Sequence, residues 1–301
     1  MYLELGKARL CALVVLTTLV GYMVAGPAVE PMVLGWTLVG TALAALGANA
    51  LNQWLEAERD GRMQRTQKRP LPSRRLASGP ALVFGLAAAA GGPWLLGLIV
   101  DAAAGLLALA TIVLYVFLYT PLKPRTPLNT LVGAVVGALP PLIGWVAARG
   151  WVDAGGWLLA GILFVWQIPH FLALAWMCRQ DYARGGFRML PAIDPNGHLT
   201  GCLAVIYTLL LLPLTLMLVW MGHCGWYYGV GALLVGAGML AAGVAFERNP
   251  SPIAARRLFR ATVIYLSLLM VLMVADRRDG QPRLASATEP TPPALREANL
   301  D

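Results

Sequence analysis

Long apolar segments alternate with short polar ones along most of the chain. Apolar runs of about 18 residues or more are long enough to cross a bilayer as helices, and the sequence contains about nine of them. They lie approximately at residues 10–28, 34–52, 81–100, 102–120, 129–148, 157–177, 199–221, 226–246 and 257–275. From residue 276 the chain becomes polar and rich in proline, alanine and glutamate, a composition typical of disorder. The pattern therefore predicts a single transmembrane domain over residues 1–275 and a disordered tail over residues 276–301.

The composition agrees with an all-α, polytopic membrane protein. Of 301 residues, 58% are hydrophobic and 13% are charged, and the mean hydropathy is +0.66, values far from those of soluble domains. Pro140 and Pro141 fall inside the fifth predicted span, where proline breaks or kinks a helix. Broken helices at membrane depth usually line a cavity. We therefore expect about nine transmembrane helices arranged around a central apolar cavity.

The basic residues predict an orientation in the membrane. If the N-terminus with Lys7 and Arg9 is inside, the even-numbered connections hold the basic residues of 59–75, 123–125, 179–188 and 248–257. The odd-numbered connections hold little beyond Arg149. Because basic residues collect on the cytoplasmic side, we expect a protein of the cytoplasmic (inner) membrane with its N-terminus in the cytoplasm and its C-terminus outside. Orientation accounts for the net charge of +8, which leaves no case for nucleic-acid binding.

Several common functional motifs are missing from the sequence. It contains no GxxxxGK[ST] phosphate loop, no HExxH and no GxSxG, which argues against an ATP-driven pump, a zinc protease and a serine hydrolase. The four cysteines form no CxxC pair and no CxxCH haem-attachment motif, so they indicate neither a disulfide nor a metal site.

The most polar stretch of the chain, residues 52–75, follows the second predicted span. Asn52, Glu56 and Asp60 are spaced four apart, so they share one face if the helix continues through them. Two carboxylates and an amide oxygen are ligands that Mg²⁺ accepts together with substrate phosphates. The basic residues that follow could hold the anion. Orientation alone would explain basic residues here, but it does not require the crowded acids, and we therefore favour a functional site.

Two later stretches carry further candidates on the same side of the membrane. Tyr119 and Lys123 are four apart at the end of the fourth span, and Asp181 lies beyond the sixth. Asp181 could face the first acidic cluster and complete a metal site. His170 lies beside Pro169 within the sixth span, where an ionisable side chain indicates function. Three alternatives stay open: Lys123 as an orientation residue, His170 bonded to a carbonyl freed by the kink, and Asp181 as a solvated loop acid.

The residues together indicate the kind of substrate. Two acidic sites with cations between them, beside an apolar cavity, suit an amphipathic molecule with a diphosphate head and a long apolar tail. Isoprenyl diphosphates have that form. Metal and cations would stabilise the charge that develops on a departing diphosphate, and a water-poor pocket would protect a reactive allylic cation from hydrolysis.

Three motifs resemble those of the intramembrane prenyltransferase superfamily, and the similarity covers about residues 10–275. The first, NQWLEAERDGRMQRTQKRPLP, matches the signature Asn-x-x-x-Asp-x-x-x-Asp followed by M-x-R-T-x-x-R-P. The others are YTPLKPRTPLNTLVGAVVGALPPLIGW and WQIPHFLALAWMCRQDYARGGFRMLP. These two resemble the haem branch, the protohaem IX farnesyltransferase family.

The resemblance implies a role for each candidate residue. The Mg²⁺ ligands would be Asn52, Glu56, Asp60 and Asp181. The diphosphate contacts would be Asn52, Arg65, Arg69, Lys123 and Arg179, with Tyr119 beside them. The residues acting in catalysis would be Asp60, Lys123 and Asp181. His170 would contact the haem, either as an iron ligand or at a propionate.

Two positions depart from the superfamily pattern. Glu56 stands where the first signature usually has aspartate. It is one methylene longer and still a hard-oxygen ligand, so we expect function with an altered ligand geometry. In the second acidic motif Gly185 stands four residues after Asp181, where a paired aspartate is expected. That side of the site would therefore hold metal more weakly.

The resemblance also implies a reaction and its partners. The farnesyl group of farnesyl diphosphate would be joined to a vinyl group of haem B, with water added, to give haem O and diphosphate. Mg²⁺ would be the cofactor and haem B a substrate. The product would supply downstream haem-modifying or terminal haem-copper oxidase proteins, and the bilayer would surround the enzyme.

Two alternative functions stay open on the sequence. The nearest is a prenyltransferase that acts on another acceptor, a quinone precursor or a chlorin. The other is a non-enzymatic transporter or haem carrier, because the two acidic stretches could derive from an internal duplication. Inverted repeats with broken helices at the membrane midplane would favour a transporter, whereas acidic clusters at the cytoplasmic surface favour the transferase.

Overall fold

The computed structural model describes residues 1–26 and 28–278. Within them nine helices are long and apolar enough to cross a membrane, which confirms the predicted all-α fold with nine spans. In order they are Ala8–Ala25, Pro31–Gly61, Ser78–Val100, Ala102–Leu122, Asn129–Arg149, Ala154–Met177, His198–Trp220, Trp226–Arg248 and Pro252–Ala275. Shorter helices cover Tyr2–Leu5, Arg179–Arg184 and the 3₁₀ turn Leu190–Ala192.

Three spans depart from regular α-helix. The fifth divides at Leu139 into Asn129–Ala138 and Pro140–Arg149, as the paired prolines predict. The third and fourth contain π-helical turns at Leu96–Val100 and Leu114–Tyr119. Such turns are frequent at functional sites, and the second of them ends beside the polar residues described below.

The second span is much longer than a bilayer requires. It has 31 residues, and at 1.5 Å per residue a helix of that length extends about 46 Å, against a hydrocarbon core of about 30 Å. Its last turns therefore project beyond the apolar layer on one side of the membrane. They deliver the first acidic cluster there on a rigid helix.

Close helix contacts depend on small residues. A Cβ atom built on Gly144 in the fifth span would lie 1.9 Å from the carbonyl oxygen of Thr18 in the first, and one built on Gly21 would lie 2.1 Å from the carbonyl oxygen of Pro141. Only glycine permits this approach. The first five spans pack against one another, as do the last four, and the groups meet where the fifth packs on the sixth and the ninth on the first.

The predicted C-terminal tail extends beyond the residues that the structure describes. The predicted tail begins at residue 276, and residues 279–301 lie outside the described residues. Asp276 is described, and its carboxylate accepts a hydrogen bond of 2.8 Å from the backbone N–H of Tyr228. The single domain over 1–275 and the central apolar cavity stay predictions.

Candidate active site

The C-terminal end of the second span presents a buried polar face. Asn52, Glu56 and Asp60 lie on one continuous helix, as their spacing predicts, and their exposed fractions are 0%, 5% and 1%. Glu58 points away: it is exposed and pairs with Arg62 four residues on. Buried carboxylates are retained in proteins only when they are paired or bind cations. This face is therefore built to hold positive charge.

Each of the two buried carboxylates holds a cation from a different segment. The Nζ of Lys123 lies 2.8 Å from Oε1 of Glu56 and donates a hydrogen bond of 3.0 Å to its Oε2. The Nη1 of Arg69 lies 2.6 Å from Oδ2 of Asp60. Lys123 and Arg69, both predicted to contact a diphosphate, thus lie directly beside the two acids.

A third cation lies on the amide of the same face. The Nζ of Lys7 donates a hydrogen bond of 2.8 Å to Oδ1 of Asn52, and the Asn52 amide donates to Oγ1 of Thr120 at 3.0 Å. Burial, together with repulsion from Arg69 and Lys123, lowers the pKa of Lys7 to about 7. Two cations, Arg69 and Lys123, and the partly protonated amine of Lys7 therefore converge on two carboxylates and one amide.

Local packing carries Lys7 to this position. The short helix Tyr2–Leu5 docks on the second span, where the Gln53 side chain donates to the carbonyl oxygen of Glu4 at 3.0 Å and Leu5 is fully buried. Lys7 itself has a left-handed backbone with φ of 54°, uncommon for a residue with a side chain. From the sequence, Lys7 indicates only the orientation in the membrane. No local pattern connects it with Asn52, which is 45 residues away.

Aromatic rings surround Lys123. Its Nζ lies 4.6 Å from the centre of the Tyr119 ring, and that ring stacks on Tyr115 with centroids 5.3 Å apart. Burial acts against the charged form, but the neighbouring Tyr119 and Glu56 hold the pKa of Lys123 above its ordinary value. Lys123 is therefore a largely buried group whose charged form its neighbours stabilise, and Tyr119 lies beside its ammonium group.

Asp181 joins the second acidic stretch to the loop after the first. Its carboxylate accepts hydrogen bonds from the backbone N–H groups of Gln64 at 3.2 Å and Arg65 at 3.3 Å, and Arg184 lies 3.3 Å away. Within the described residues no three His, Cys, Asp or Glu side chains form a group that could hold a metal. Asp181 therefore faces the first stretch, as expected, but holds its backbone rather than adding a third carboxylate to Glu56 and Asp60.

Further contacts hold the loops at this end of the helices together. Arg59 donates to the carbonyl oxygen of Gly185 at 3.2 Å, and the backbone N–H of Arg188 donates to the carbonyl oxygen of Lys123 at 2.8 Å. A small apolar cluster joins the same region, with Met63, Phe187 and Met189 from the loops, Ala175 from the sixth span and Tyr182 from the short helix after it.

The other two predicted arginines lie on aromatic rings. The guanidinium of Arg65 lies 5.7 Å from the centre of the Tyr182 ring, and that of Arg179 lies 4.5 Å from the centre of the Trp176 ring. Neither forms an ion pair within the part of the chain that the structure describes. Arg179 lines a surface cavity of about 250 Å³ together with Tyr182 and Phe187. Both arginines keep their charge available for an anion.

His170 occupies a separate aromatic environment inside the sixth span. Its Nδ1 lies 2.9 Å from Oγ1 of Thr262 in the ninth span. Its ring stacks between Trp166, with centroids 5.0 Å apart, and Phe259, with centroids 4.7 Å apart. The side chain is half-buried. Its partner is thus a hydroxyl and not the carbonyl freed by Pro169, the alternative that the sequence left open.

The family comparison matches residues 14–270 to the UbiA prenyltransferase family. The chain belongs to that family. This confirms the resemblance found in the motifs, and the chain is an enzyme of the prenyltransferase class and a multi-pass membrane protein. The assignment favours the transferase over the transporter that the sequence left open.

The chain is also similar in sequence to individual proteins of that family. The chain is 42% identical over 289 residues to a protoheme IX farnesyltransferase of Solibacter usitatus, covering 92% of this chain and 98% of that one. It is 39% identical over 287 residues to the mitochondrial protoheme IX farnesyltransferase of Arabidopsis thaliana, covering 94% and 67%.

Solved structures share the fold at low sequence identity. The structure of a digeranylgeranylglyceryl phosphate synthase matches with a TM-score of 0.78 and 16% identity, covering 91% of this chain and 96% of that one. A UbiA homolog from Archaeoglobus fulgidus, bound to DMAPP and Mg²⁺, matches with a TM-score of 0.67 and 11% identity, covering 91% and 99%. The nine-helix arrangement is therefore that of the UbiA fold.

The residues present fit a magnesium ion held jointly with a substrate. Asn52, Glu56 and Asp60 supply hard oxygen atoms on one buried face. Within the described residues Oε1 of Glu56 accepts no hydrogen bond of good geometry, although Nζ of Lys123 lies 2.8 Å from it. Mg²⁺ is usually bound by one or two carboxylates plus substrate phosphates and water. Two carboxylates and one amide are therefore a sufficient protein contribution, even though Asp181 is occupied by backbone contacts.

Proposed function

We propose that this enzyme transfers the farnesyl group of farnesyl diphosphate to a vinyl group of haem B, with addition of water, giving haem O and diphosphate. The relatives named protoheme IX farnesyltransferase support this substrate pair, since they match the chain over 92% or more of its length. The UbiA homolog bound to DMAPP and Mg²⁺ supports the use of a prenyl diphosphate with magnesium.

The observation that carries the proposal is the convergence of Lys7, Arg69 and Lys123 on one acidic face. Prenyl transfer by this route requires cleavage of the carbon–oxygen bond, in which the electron pair leaves with the diphosphate. Preorganised cations stabilise that developing charge without reorganisation, and they act strongly in a site from which water is excluded. Lys123 is 11% and Arg69 23% exposed in their side chains, so they meet this requirement.

Magnesium, held by Asn52, Glu56, Asp60 and the diphosphate, would act as the Lewis acid that neutralises the leaving group. Arg69 and Lys123, which contact Asp60 and Glu56 in the structure, would also contact the oxygen atoms of the diphosphate. Asp181 would hold the loop of Gln64 and Arg65 in place, so that the Arg65 side chain can reach the anion. Arg179 would provide a further cation, and Tyr119 would keep Lys123 oriented.

The haem acceptor would lie in the apolar interior of the helix bundle. The vinyl carbon of the haem would attack C1 of the farnesyl cation, and water would then add to the neighbouring carbon and release a proton. The apolar cluster of Met63, Phe187 and their neighbours would keep bulk water from the cation. His170 would hold the haem.

The direct test is an incubation of purified enzyme with farnesyl diphosphate, Mg²⁺ and haem B, followed by mass spectrometry of the extracted haems. We expect a haem that has gained a hydroxyethylfarnesyl group. Transfer to a hydroxybenzoate, a naphthoate or a chlorin, with haem B unchanged, would overturn the acceptor and keep the diphosphate site. A folded enzyme that transfers to none of these acceptors would overturn the proposed function.

We further propose that the enzyme lies in the cytoplasmic (inner) membrane with its N-terminus and the acidic face in the cytoplasm and its C-terminus outside. An odd number of spans places the termini on opposite sides, and the basic loops favour this direction. The haem O product would pass to downstream haem-modifying proteins or a terminal oxidase. Reporter fusions after Arg75 and after Asp276 should respectively report inside and outside.

A further inference from the structure

The hydroxyl group of Thr262 has a single proton, and the structure shows where it is used. Thr262 is fully buried, and its Oγ1 donates a hydrogen bond of 2.7 Å to the carbonyl oxygen of Phe259. A hydroxyl can donate once and accept twice. Towards every other neighbour, Oγ1 of Thr262 is therefore an acceptor.

This bond determines the tautomer of His170. Its Nδ1 lies 2.9 Å from the same Oγ1, so the tautomer that fits a Thr262 hydroxyl donating to Phe259 has its proton on Nδ1, which donates to Oγ1. In a neutral imidazole the other nitrogen then has a free lone pair. No hydrogen bond to Nε2 of His170 is found among residues 1–26 and 28–278. His170 therefore offers an acceptor nitrogen and has no second N–H to donate.

The ring is also held in position. Trp166 and Phe259 both stack against it, with interplanar angles of 24° and 30°. Trp166 is itself anchored, since its Nε1 donates to the carbonyl oxygen of Thr262 at 2.8 Å. Rotation of the imidazole would break the bond to Thr262 and both stacking contacts. The arrangement resembles the support that metal-binding histidines receive, in which the second nitrogen is bonded and the ring fixed.

We infer that Nε2 of His170 ligates the iron of the haem substrate and that Thr262 is the positioning residue that prepares it. This inference rests on the proposed function, because it requires haem as the acceptor. It decides between the two contacts with haem that the sequence left open for His170, which are ligation of the iron and a hydrogen bond to a propionate. A propionate needs a hydrogen-bond donor, and His170 could supply one at Nε2 only after taking up a second proton within a membrane span, where charge is costly.

The test is a titration of the purified, full-length enzyme with ferric haem B, followed by absorption and electron paramagnetic resonance spectra. We expect the wild type to show a nitrogen-ligated haem. His170→Ala should lose that signature, and added imidazole should restore it. Thr262→Val should weaken haem binding about 10- to 100-fold, the usual effect of removing a partner of a ligating histidine. Thr262→Ser should retain both affinity and spectrum.

Thr208→Val is the matched control. Thr208 is fully buried in the seventh span and donates to the carbonyl oxygen of Ala204 at 2.7 Å, without a histidine beside it. It should leave the haem spectrum unchanged. If Thr262→Val does not fold, the comparison of His170→Ala with and without imidazole still decides ligation. A His170→Ala spectrum identical to the wild type would overturn the inference, and a Thr262→Val spectrum and affinity equal to those of Thr208→Val would overturn the role of Thr262.

Product analysis of the same samples separates this inference from the proposed function. If the wild type produces haem O but the spectrum does not depend on His170, iron ligation is wrong and the proposed function stands. If the wild type binds haem through His170 but forms no prenylated haem, the proposed reaction is wrong.

Discussion

Lys7 and Asn52 are 45 residues apart in the chain, yet the lysine Nζ donates a 2.8 Å hydrogen bond to the asparagine Oδ1. The contact places Lys7 at the Asn52 end of the polar face of the second span. Together with Lys123 on Glu56 and Arg69 on Asp60, it means that each proposed magnesium ligand has a cation of its own. Five of these six side chains were predicted as site residues, and the sixth is Lys7.

We predict that Lys7→Met weakens binding of farnesyl diphosphate about tenfold or more, because a hydrogen bond to a charged group contributes about 1.5–3 kcal/mol. Calorimetric titration with farnesyl diphosphate and Mg²⁺ measures this. Arg9→Met is the matched control, since it removes the same charge from an exposed position two residues away. Equal effects of the two substitutions would show that Lys7 acts only through the general charge of the N-terminus.

Asp60→Asn should reduce farnesyl transfer by about a hundredfold or more, the usual effect of losing a group that stabilises transition-state charge. The asparagine keeps the shape of the side chain and an oxygen for Arg69, so the fold should persist. Glu58→Gln is the control because Glu58 is exposed and pairs only with Arg62. Turnover should be measured at saturating substrate, and normal turnover of Asp60→Asn would contradict the metal assignment.

Lys123→Met should destabilise the enzyme as well as inactivate it. The substitution leaves the Glu56 carboxylate buried without its cation, which typically costs about 3–5 kcal/mol. Adding Glu56→Gln should recover the thermal unfolding temperature, since the double variant has no unpaired charge, but it should leave the enzyme inactive. Recovery of activity along with stability would mean that the pair is structural and does not act on the diphosphate.

Chelation of metal should stop turnover without unfolding the protein. EDTA removes the Lewis acid, whereas Glu56 and Asp60 keep their partners Lys123 and Arg69. We expect activity to return on addition of Mg²⁺ and the unfolding temperature to stay the same throughout. Phenanthroline, which binds transition metals and hardly binds Mg²⁺, is the control. Full activity in EDTA, or inhibition by phenanthroline alone, would contradict a magnesium site.

Gly144→Ala should lower stability by about 1–3 kcal/mol, the usual effect of overpacking a close contact. The new methyl group would meet the carbonyl oxygen of Thr18, and a backbone atom cannot move aside easily. Gly161→Ala is the control, because a Cβ there meets nothing within 4 Å. Thermal unfolding in detergent should separate the two variants, and equal unfolding temperatures would contradict the proposed crossing of the first and fifth spans.

The sequence by itself determined the features that depend on neighbouring residues. The length of each apolar run predicted nine spans, because a helix must be long enough to cross the bilayer. The spacing of Asn52, Glu56 and Asp60 predicted their common face, because a helix repeats about every 3.6 residues. Pro140 and Pro141 predicted the break in the fifth span for an equally local reason.

Only the tertiary structure decided which side chains meet. Lys7 joins Asn52, and Thr262 joins His170, across 45 and 92 residues. Asp181 faces the backbone of Gln64 and not the carboxylates. No local periodicity carries this information, because such contacts depend on how separate helices are placed by packing. Basic residues add a further ambiguity, since the same lysine satisfies both membrane orientation and substrate binding.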